Sequence, residues 1–426
     1  MVFAIRSKSY RLMAEGESQK LRALFRGQRS TLDKEHKAIL ENNRGAVWIH
    51  AASVGEFEQA RTLIEKLKIK NEALKIVVTF FSPSGYEARK NYDQVDAVLY
   101  LPFATRRKAK RFLDALQPSM AIFVKYEFWP AYLKELKKRA IPTYSISAIF
   151  RPTQRFFRWY GHASLNLLKC FTHIYVQDEA SRRLLAEHGV HDCSVAGDTR
   201  FDRVKQIADA VREKTQAGPA VRQLTPVAQF VQGCERVIVA GSTWPKDEEL
   251  LAQVMANDEV TNGEGCKLIL VPHELDEKHL HTIFKLFQGR FVRYSAIQDQ
   301  IPAESRRNIL QRANILLIDT IGLLSSIYRF GHVAYIGGGF GVGIHNTIEA
   351  AVYGVPVVFG PNYHHFREAQ GLIDAGAARS IKDYSELEAA LDTALEQHET
   401  IGAKAAEYVQ SELGATEKIY SSIFEI

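Results

Sequence analysis

Tyr335-Ile-Gly-Gly-Gly-Phe-Gly-Val-Gly-Ile-His-Asn-Thr-Ile-Glu349, followed by Val355-Pro-Val-Val-Phe-Gly-Pro361, decides the fold of this 426-residue chain. The run from His332 to Ile336 reads as a buried strand, and the glycines after it as a tight loop. Asn346 with an acid three residues on has the spacing of a capping box, so a helix is expected to start there. Glycines let backbone amides approach a ligand closely, and a helix N-terminus favours an anion. A strand, a glycine loop and a helix in this order predict a nucleotide or phosphate-sugar pocket on an α/β sheet.

Working outward, the same alternation recurs on both sides. Strands are expected near 46–52, 75–80, 97–101, 120–124, 141–147, 172–176 and 193–196, with helices at 57–69, 104–116, 128–139 and 179–189 filling gaps. A second set follows near 236–240, 267–271, 290–294, 314–318, 332–336 and 355–359. Short apolar strands alternating with amphipathic helices build parallel sheets covered on both faces. Between the sets, 206–233 is small, polar and proline-containing, and reads as a linker. The expected organisation is therefore a Rossmann-like domain over 1–205, the linker, a second Rossmann-like domain over 234–402, and a closing helical segment over 403–426 returning to the first domain. Two doubly wound sheets facing across a cleft would bind ligands at the carboxyl ends of their strands.

Composition narrows the class. Hydrophobic residues at 46% and charged residues at 24% suit a folded globular enzyme. Cys170, Cys193, Cys234 and Cys266 show no CxxC spacing, which argues against a zinc site or a disulfide framework and fits a reducing cytoplasm. No apolar run reaches the roughly 20 residues of a spanning helix, and Arg6, Lys8 and Arg11 interrupt any leader-like stretch. The net charge of +6 is uneven. Basic residues gather at Arg6, Lys8, Arg11, Lys20, Arg22, Arg26 and Arg29, at Arg106-Arg-Lys-Ala-Lys-Arg111, and in Arg151-Pro-Thr-Gln-Arg-Phe-Phe-Arg-Trp-Tyr160. Cations mixed with bulky aromatics suit an anionic membrane surface, or else a solvated helix with its rings in the core. No DNA or RNA module is visible.

Three clusters in the first half follow strands and carry chemistry. In His50-Ala-Ala-Ser-Val-Gly-Glu-Phe-Glu58, Glu56 sits where strand turns to helix, placed either to accept a proton from a hydroxyl or to complement the helix dipole. In Val124-Lys-Tyr-Glu-Phe-Trp-Pro130, Lys125 and Glu127 flank a tyrosine at a strand's end, and Glu127 could equally cap the next helix. In Val195-Ala-Gly-Asp-Thr-Arg-Phe-Asp202, Arg200 could balance a leaving phosphate or a carboxylate, or pair with Asp198 or Asp202.

In the second half, Ala240-Gly-Ser-Thr-Trp-Pro-Lys-Asp-Glu248, Val271-Pro-His-Glu274, Asp319-Thr-Ile-Gly322 and the glycine cluster each follow a strand. Four such loops converge on one sheet edge. The chain has no GxxxxGK[ST] loop, which excludes an ordinary P-loop enzyme, and Gly337-Gly-Gly comes too late in its domain for a dinucleotide fingerprint.

Together these motifs resemble the bacterial Kdo (3-deoxy-D-manno-octulosonic acid) transferases of lipid A and lipopolysaccharide biosynthesis. The likeness rests on Ser53-Val-Gly-Glu56, Glu127-Phe-Trp-Pro130, Gly197-Asp-Thr-Arg-Phe-Asp202, Val271-Pro272, Gly322 and His345-Asn-Thr-Ile-Glu349. It implies a GT-B glycosyltransferase fold, CMP-Kdo as donor, the lipid A precursor lipid IVA as acceptor, inversion without a metal or other cofactor, and a peripheral location on the cytoplasmic face of the inner membrane. It further implies Glu56 as proton acceptor and Arg200, in place of a usual lysine, as transition-state stabiliser. Lys125 stands where many members carry a glutamate, with Glu127 two residues on. Nucleotide contacts are implied at Pro272, His273, Ile321, Gly322, Leu323, Asn346, Thr347, Ile348 and Glu349. His273 replaces a usual arginine and Leu323 a usual acid. The hydrophobic anchor common at the start of members is missing from this N-terminus. Another GT-B nucleotide-sugar enzyme, such as a UDP-sugar transferase or epimerase, or a silent nucleotide- or lipid-binding relative, would share the same outline.

Overall fold

Runs of five residues, apolar but for His50 and Thr79 and buried from end to end, place β1 (Val47–Ala51) and β2 (Ile76–Phe80) in the middle of a sheet with both faces covered. The computed structural model describes residues 34–213, 219–257, 265–287, 291–297, 301–341 and 343–425. The basic positions from Arg6 to Arg29 lie outside them. The chain divides into two units, Met1–Arg203 with Leu413–Ile426, and Val204–Glu412.

The first unit runs α1 (Lys34–Asn42), β1, α2 (Val54–Lys70), β2, α3 (Pro83–Arg89), β3 (Ala97–Tyr100), α4 (Arg106–Leu116), β4 (Met120–Val124), α5 (Pro130–Lys138) and β5 (Thr143–Ala148). It continues through α6 (His162–Leu168), β6 (His173–Val176), α7 (Glu179–Glu187) and β7 (Cys193–Val195) to the start of α8 (Thr199–Glu213). The seven strands are parallel in the order β3-β2-β1-β4-β5-β6-β7. One face buries Trp48 among Phe112, Phe123 and Tyr132, with ring centroids 5.0–5.5 Å apart. The other packs Ile49, Val78 and Ile122 with Phe57 of α2 and with Ile419 and Ile423 of the last helix.

That helix, α18 (Ala415–Phe424), is fixed by the end of the first unit's own chain. The Asp202 carboxylate accepts the N–H groups of Gly414 and Thr416, each at 2.7 Å, taking up donors that open the helix. Tyr175 donates its hydroxyl to Ser422 at 2.7 Å.

The second unit holds α9 (Pro219–Val231), β8 (Arg236–Thr243), α10 (Pro245–Ala256), β9 (Cys266–Pro272), α11 (Glu277–Leu286), β10 (Phe291–Arg293), α12 (Ala303–Arg312) and β11 (Ile315–Leu317). Then come α13 (Leu324–Ile327), β12 (Val333–Ile336), α14 (Ile348–Ala351), β13 (Val357–Phe359), α15 (Arg367–Asp374), β14 (Ala378–Ser380), α16 (Tyr384–Glu396) and α17 (His398–Ser411). Its seven parallel strands are ordered β10-β11-β9-β8-β12-β13-β14. In each sheet the chain winds first to one side and then to the other, so a switch point falls between β1 and β4 and between β8 and β12. Loops leaving strands there diverge, which makes room for a ligand.

Three expectations need correction. The stretch 206–233 is not an open linker: it carries most of α8 and all of α9, whose Val227 and Phe230 are fully buried in the second unit. Its small and polar residues belong to helices, and Pro226 lies within α9. The second unit does not end at 402, because α17 runs on to Ser411 and its Gly402 meets the Gly354 backbone. Finally, β14 adds an edge strand that three short, mixed residues left invisible in the sequence.

Candidate active site and nucleotide site

At the switch point of the first sheet, Ser53 caps α2 and Glu56 closes a capping box with it. The contacts on Glu56 fall on Oε2, from the N–H groups of Ala52 at 2.7 Å and Ser53 at 3.0 Å and the Ser53 hydroxyl at 3.4 Å. Helix complementing therefore does not preclude proton acceptance, since these contacts all use one carboxylate oxygen. Burial pushes the Glu56 carboxyl up to about 7, with the nearby Glu127 carboxylate adding to it. The Ala52 N–H and the Lys125 ammonium oppose that rise. A carboxyl that titrates near neutrality is suited to general-base work.

Glu127 does not cap α5. The N-cap is Trp129, which makes no side-chain cap bond, and its indole Nε1 donates to Glu127 Oε2 at 2.6 Å. The same Oε2 lies 3.1 Å from Nε2 of His50, a side chain inside β1 with no exposed surface. Lys125 has φ +56°, a left-handed conformation that costs a side-chain-bearing residue about 1–2 kcal/mol. That turn brings the ammonium into the field of both Glu56 and Asp198.

Arg200 pairs with Asp198. Its Nε and one terminal nitrogen lie 2.8 and 2.7 Å from Oδ2, and its backbone N–H donates to Oδ1 at 3.0 Å. Burial pushes Asp198 up, but Arg200 and then Lys125 pull harder, and the carboxyl ends below its usual range. Asp202, the other partner considered for Arg200, is used by α18 instead. The first site is therefore two carboxylates, Glu56 and Glu127, beside Lys125 and a buried Asp198–Arg200 pair.

In the second unit the glycine loop is anchored from α10. Buried Asp247 accepts the Tyr335 hydroxyl at 2.7 Å, the Gly338 N–H at 2.8 Å and the Trp244 N–H at 2.9 Å. Gly338 has φ +90°, a conformation that favours glycine. Gly339 approaches Gly360 so closely that a Cβ would lie 2.6 Å from the Gly360 Cα. Both features keep the loop compact over the ends of β12 and β13.

The helix after this loop begins slightly later than expected, without the capping box read at Asn346. Thr347 is the N-cap of the four-residue α14 and makes no cap bond. Asn346 instead donates from Nδ2 to Glu349 Oε1 at 2.9 Å, so the two join side chain to side chain. Asn346 Oδ1 is buried without a hydrogen-bond partner, as is Thr347 Oγ1. Buried polar atoms are normally satisfied, and an orphaned acceptor beside a carboxylate fits a ligand hydroxyl. Ile348 and Leu323 are buried, so contact from either would come through its backbone. Pro272 ends β9, and the His273 N–H donates to the Thr243 carbonyl at 3.0 Å. The His273 ring stacks on Trp244 at 4.8 Å and meets His345 at 4.5 Å. Trp244 Nε1 donates to His345 Nε2 at 3.2 Å, and burial, then His273, lower the His345 imidazole to about 4. Ile321 is 88% exposed next to Gly322, φ +93°, beyond the end of β11.

Sequence reasoning did not single out His50, Trp129, Trp244, His345 or Asp247. The available signal for His50 was an ionisable residue inside an otherwise apolar strand. For Asp247 the local signal was only its capping position three residues after Trp244, since its other two partners are 88 and 91 positions away.

Two parallel seven-stranded sheets of Rossmann type, each with polar groups gathered at its switch point, define an α/β protein of the GT-B type. Residues 24–203 match the family model described as 3-Deoxy-D-manno-octulosonic-acid transferase (kdotransferase). A 3-deoxy-D-manno-octulosonic acid transferase of Rickettsia felis is 26% identical over 92% of this chain and 81% of its own. One from Aquifex aeolicus is 26% identical over 82% of this chain and 86% of its own. Among solved structures, UDP-GlcNAc 2-epimerase from Neisseria meningitidis bound to UDP-GlcNAc superposes with a TM-score of 0.61 at 16% identity. That match covers 89% of this chain and all of the epimerase, and speaks for the fold alone. The chain therefore carries a Kdo transferase family domain, and its similarity to curated Kdo transferases extends over most of its length.

Proposed function

We propose that this protein is an inverting glycosyltransferase that moves Kdo from CMP-Kdo to lipid IVA. The observation that carries the reading is Glu56: a half-buried carboxyl raised to about 7 at the switch point of a sheet matching the Kdo transferase family model. In this reading the Glu56 carboxylate takes a proton from a sugar hydroxyl of the acceptor, and that oxygen attacks the anomeric carbon of Kdo as CMP leaves. Lys125 and Arg200 balance the negative charge that develops, with Asp198 holding the guanidinium in one orientation. Glu127 is the second carboxylate beside the reacting centre.

The second unit takes the nucleotide. Asn346 and Glu349 offer a carbonyl oxygen and a carboxylate to ribose hydroxyls. The glycine loop and the ends of β8 and β9, with Pro272 and His273, surround the phosphate. Ile321 and Gly322 lie where a base would be covered, with Thr347, Ile348 and Leu323 behind the contact surface. The leaving group is a monophosphate, whose charge backbone amides and side-chain cations can balance without a metal ion.

The acceptor is a lipid, so the enzyme works at the cytoplasmic face of the inner membrane. Among the described residues no helix is long and apolar enough to cross a membrane. Docking falls to α4, with exposed Arg106, Arg107, Lys110 and Arg111, and to exposed Arg155, Arg158, Trp159 and Tyr160. The stretch divides its aromatics as an interface would require: Phe156 is buried, while Trp159 is 86% exposed.

Incubation with CMP-Kdo and lipid IVA, read by mass spectrometry, tests the proposal directly. A mass gain of one or more Kdo units is expected, formed far more slowly in Glu56→Gln. No transfer with this pair, but transfer from a UDP-sugar, would replace the reading.

A further inference from the structure

His50 stands inside β1 with no exposed surface, where the register calls for an apolar residue. Its Nδ1 lies 3.0 Å from the Thr79 carbonyl oxygen and 2.9 Å from Thr79 Oγ1. A carbonyl oxygen only accepts, so this contact places a proton on Nδ1. Thr79 Oγ1 also receives the indole N–H of Trp48 at 2.9 Å. On its far side the imidazole meets Glu127, with Nε2 and Oε2 3.1 Å apart. A bare Nε2 and a carboxylate oxygen would face each other as two acceptors, which is costly where water is excluded. A second proton therefore lies between Nε2 and Oε2.

We propose that His50 is a positioning residue of the acceptor site: through a shared proton it holds Glu127 in place and offsets much of the charge that Glu127 exerts on Glu56. The inference rests on the transferase reading above. The charged groups facing this assembly are Glu56 from α2 and Lys125 from the turn after β4, with Asp198 from the β7–α8 turn and Arg200 from the start of α8 next to Lys125. The Trp129 indole holds the same Glu127 oxygen at 2.6 Å. With the proton present, the His50–Glu127 pair is neutral. Without the imidazole, Glu127 is an uncompensated anion beside the base, and the pH at which Glu56 becomes a carboxylate moves upward.

The direct test is nitrogen NMR of the full chain with labelled histidine. A proton on Nδ1 of His50 at neutral pH is expected, its resonance assigned by loss in His50→Gln. Nδ1 found bare, with the proton on Nε2 only, overturns the arrangement. The kinetic test is the pH profile of Kdo transfer. In His50→Gln the acidic limb should move up by roughly half to one pH unit, so that activity falls about two- to sixfold more at pH 6.5 than at pH 8.5. Adding Glu127→Gln to that variant should bring the limb back down. A uniform loss at every pH would leave His50 a purely structural residue and overturn the proposal. If His50→Gln does not fold, Glu127→Gln alone should move the limb by less than about half a pH unit, because the pair it breaks is already neutral, and a downward shift of roughly half to one unit would reveal an uncompensated Glu127 and overturn the proposal. Because the NMR measurement needs no activity, failure of the transferase reading and failure of the proton arrangement are told apart.

Discussion

Arg200 reaches Asp198 with two nitrogens at 2.7 and 2.8 Å, and the carboxylate it meets is 1% exposed. The cation closest in sequence pattern to a transition-state stabiliser is thus half of a pair, and its direction is set before any substrate arrives. Asp198→Asn should cost about 2 kcal/mol of stability, since it weakens the Arg200 contact and the 2.8 Å bond from Gln59 together. Urea unfolding measures this, and an unchanged midpoint would mean that the pair contributes nothing to the fold.

Glu56 links activity to pH. Its folded-state value of about 7 lies above the ordinary glutamate value, so the base form grows in as pH rises through neutrality and transfer should rise with it. Removing the carboxylate by Glu56→Gln should lower the rate by about 10² to 10⁴. The stability sign follows from the same elevation. A raised carboxyl stabilises the fold below its unfolded value, and that contribution is lost as pH climbs to the folded value. Glu56→Gln should therefore gain in melting temperature relative to the parent between pH 5 and pH 8. A difference that shrinks over that range contradicts the assignment.

Asp247 carries three bonds that fix the glycine loop from beneath. Asp247→Asn should reduce stability by about 1–3 kcal/mol and weaken the protection against thermal unfolding expected from CMP under the proposed function. Gly339→Ala tests the same loop from above, because the added methyl meets the Gly360 backbone. Loss of CMP protection in both, with a largely retained fold, is the expected result from calorimetry with and without CMP.

The last helix depends on Asp202. Asp202→Ala removes the acceptor for the Gly414 and Thr416 N–H groups and should cost about 1–2 kcal/mol. Hydrogen exchange should then speed up in 413–425 before it does in β1. Equal protection in both variants would show that apolar packing alone holds the helix.

Membrane docking should be salt-dependent. Binding to vesicles containing anionic lipid should fall between low and high salt, with each basic side chain near the surface worth about 1 kcal/mol. Trp159→Ala should weaken what remains at high salt. Binding indifferent to salt would remove the basic surfaces from the reading.

Much of this protein was legible as a pattern. Strand positions, the alternation of the two sheets and the loops at their edges follow from apolar periodicity and glycine placement, which are local properties. Glu56 and Glu127 were visible for the same reason, as acids at strand ends. The 206–233 stretch was misread because a helix with a small, polar surface and a linker share a composition. Neither the true boundary near 412 nor β14 leaves a local mark.

The sequence alone determined the class of fold and the strand ends from which chemistry could be done, because both depend on residues within a turn or two of each other. Only the tertiary structure decided which side chains meet: Arg200 with Asp198, Glu127 with His50, Asp247 with the glycine loop. The last two are fixed by the order of strands in the sheets and by burial, which strengthens a hydrogen bond and forbids an unpaired charge. That order brings together residues 77 and 91 positions apart, at distances no spacing rule can supply.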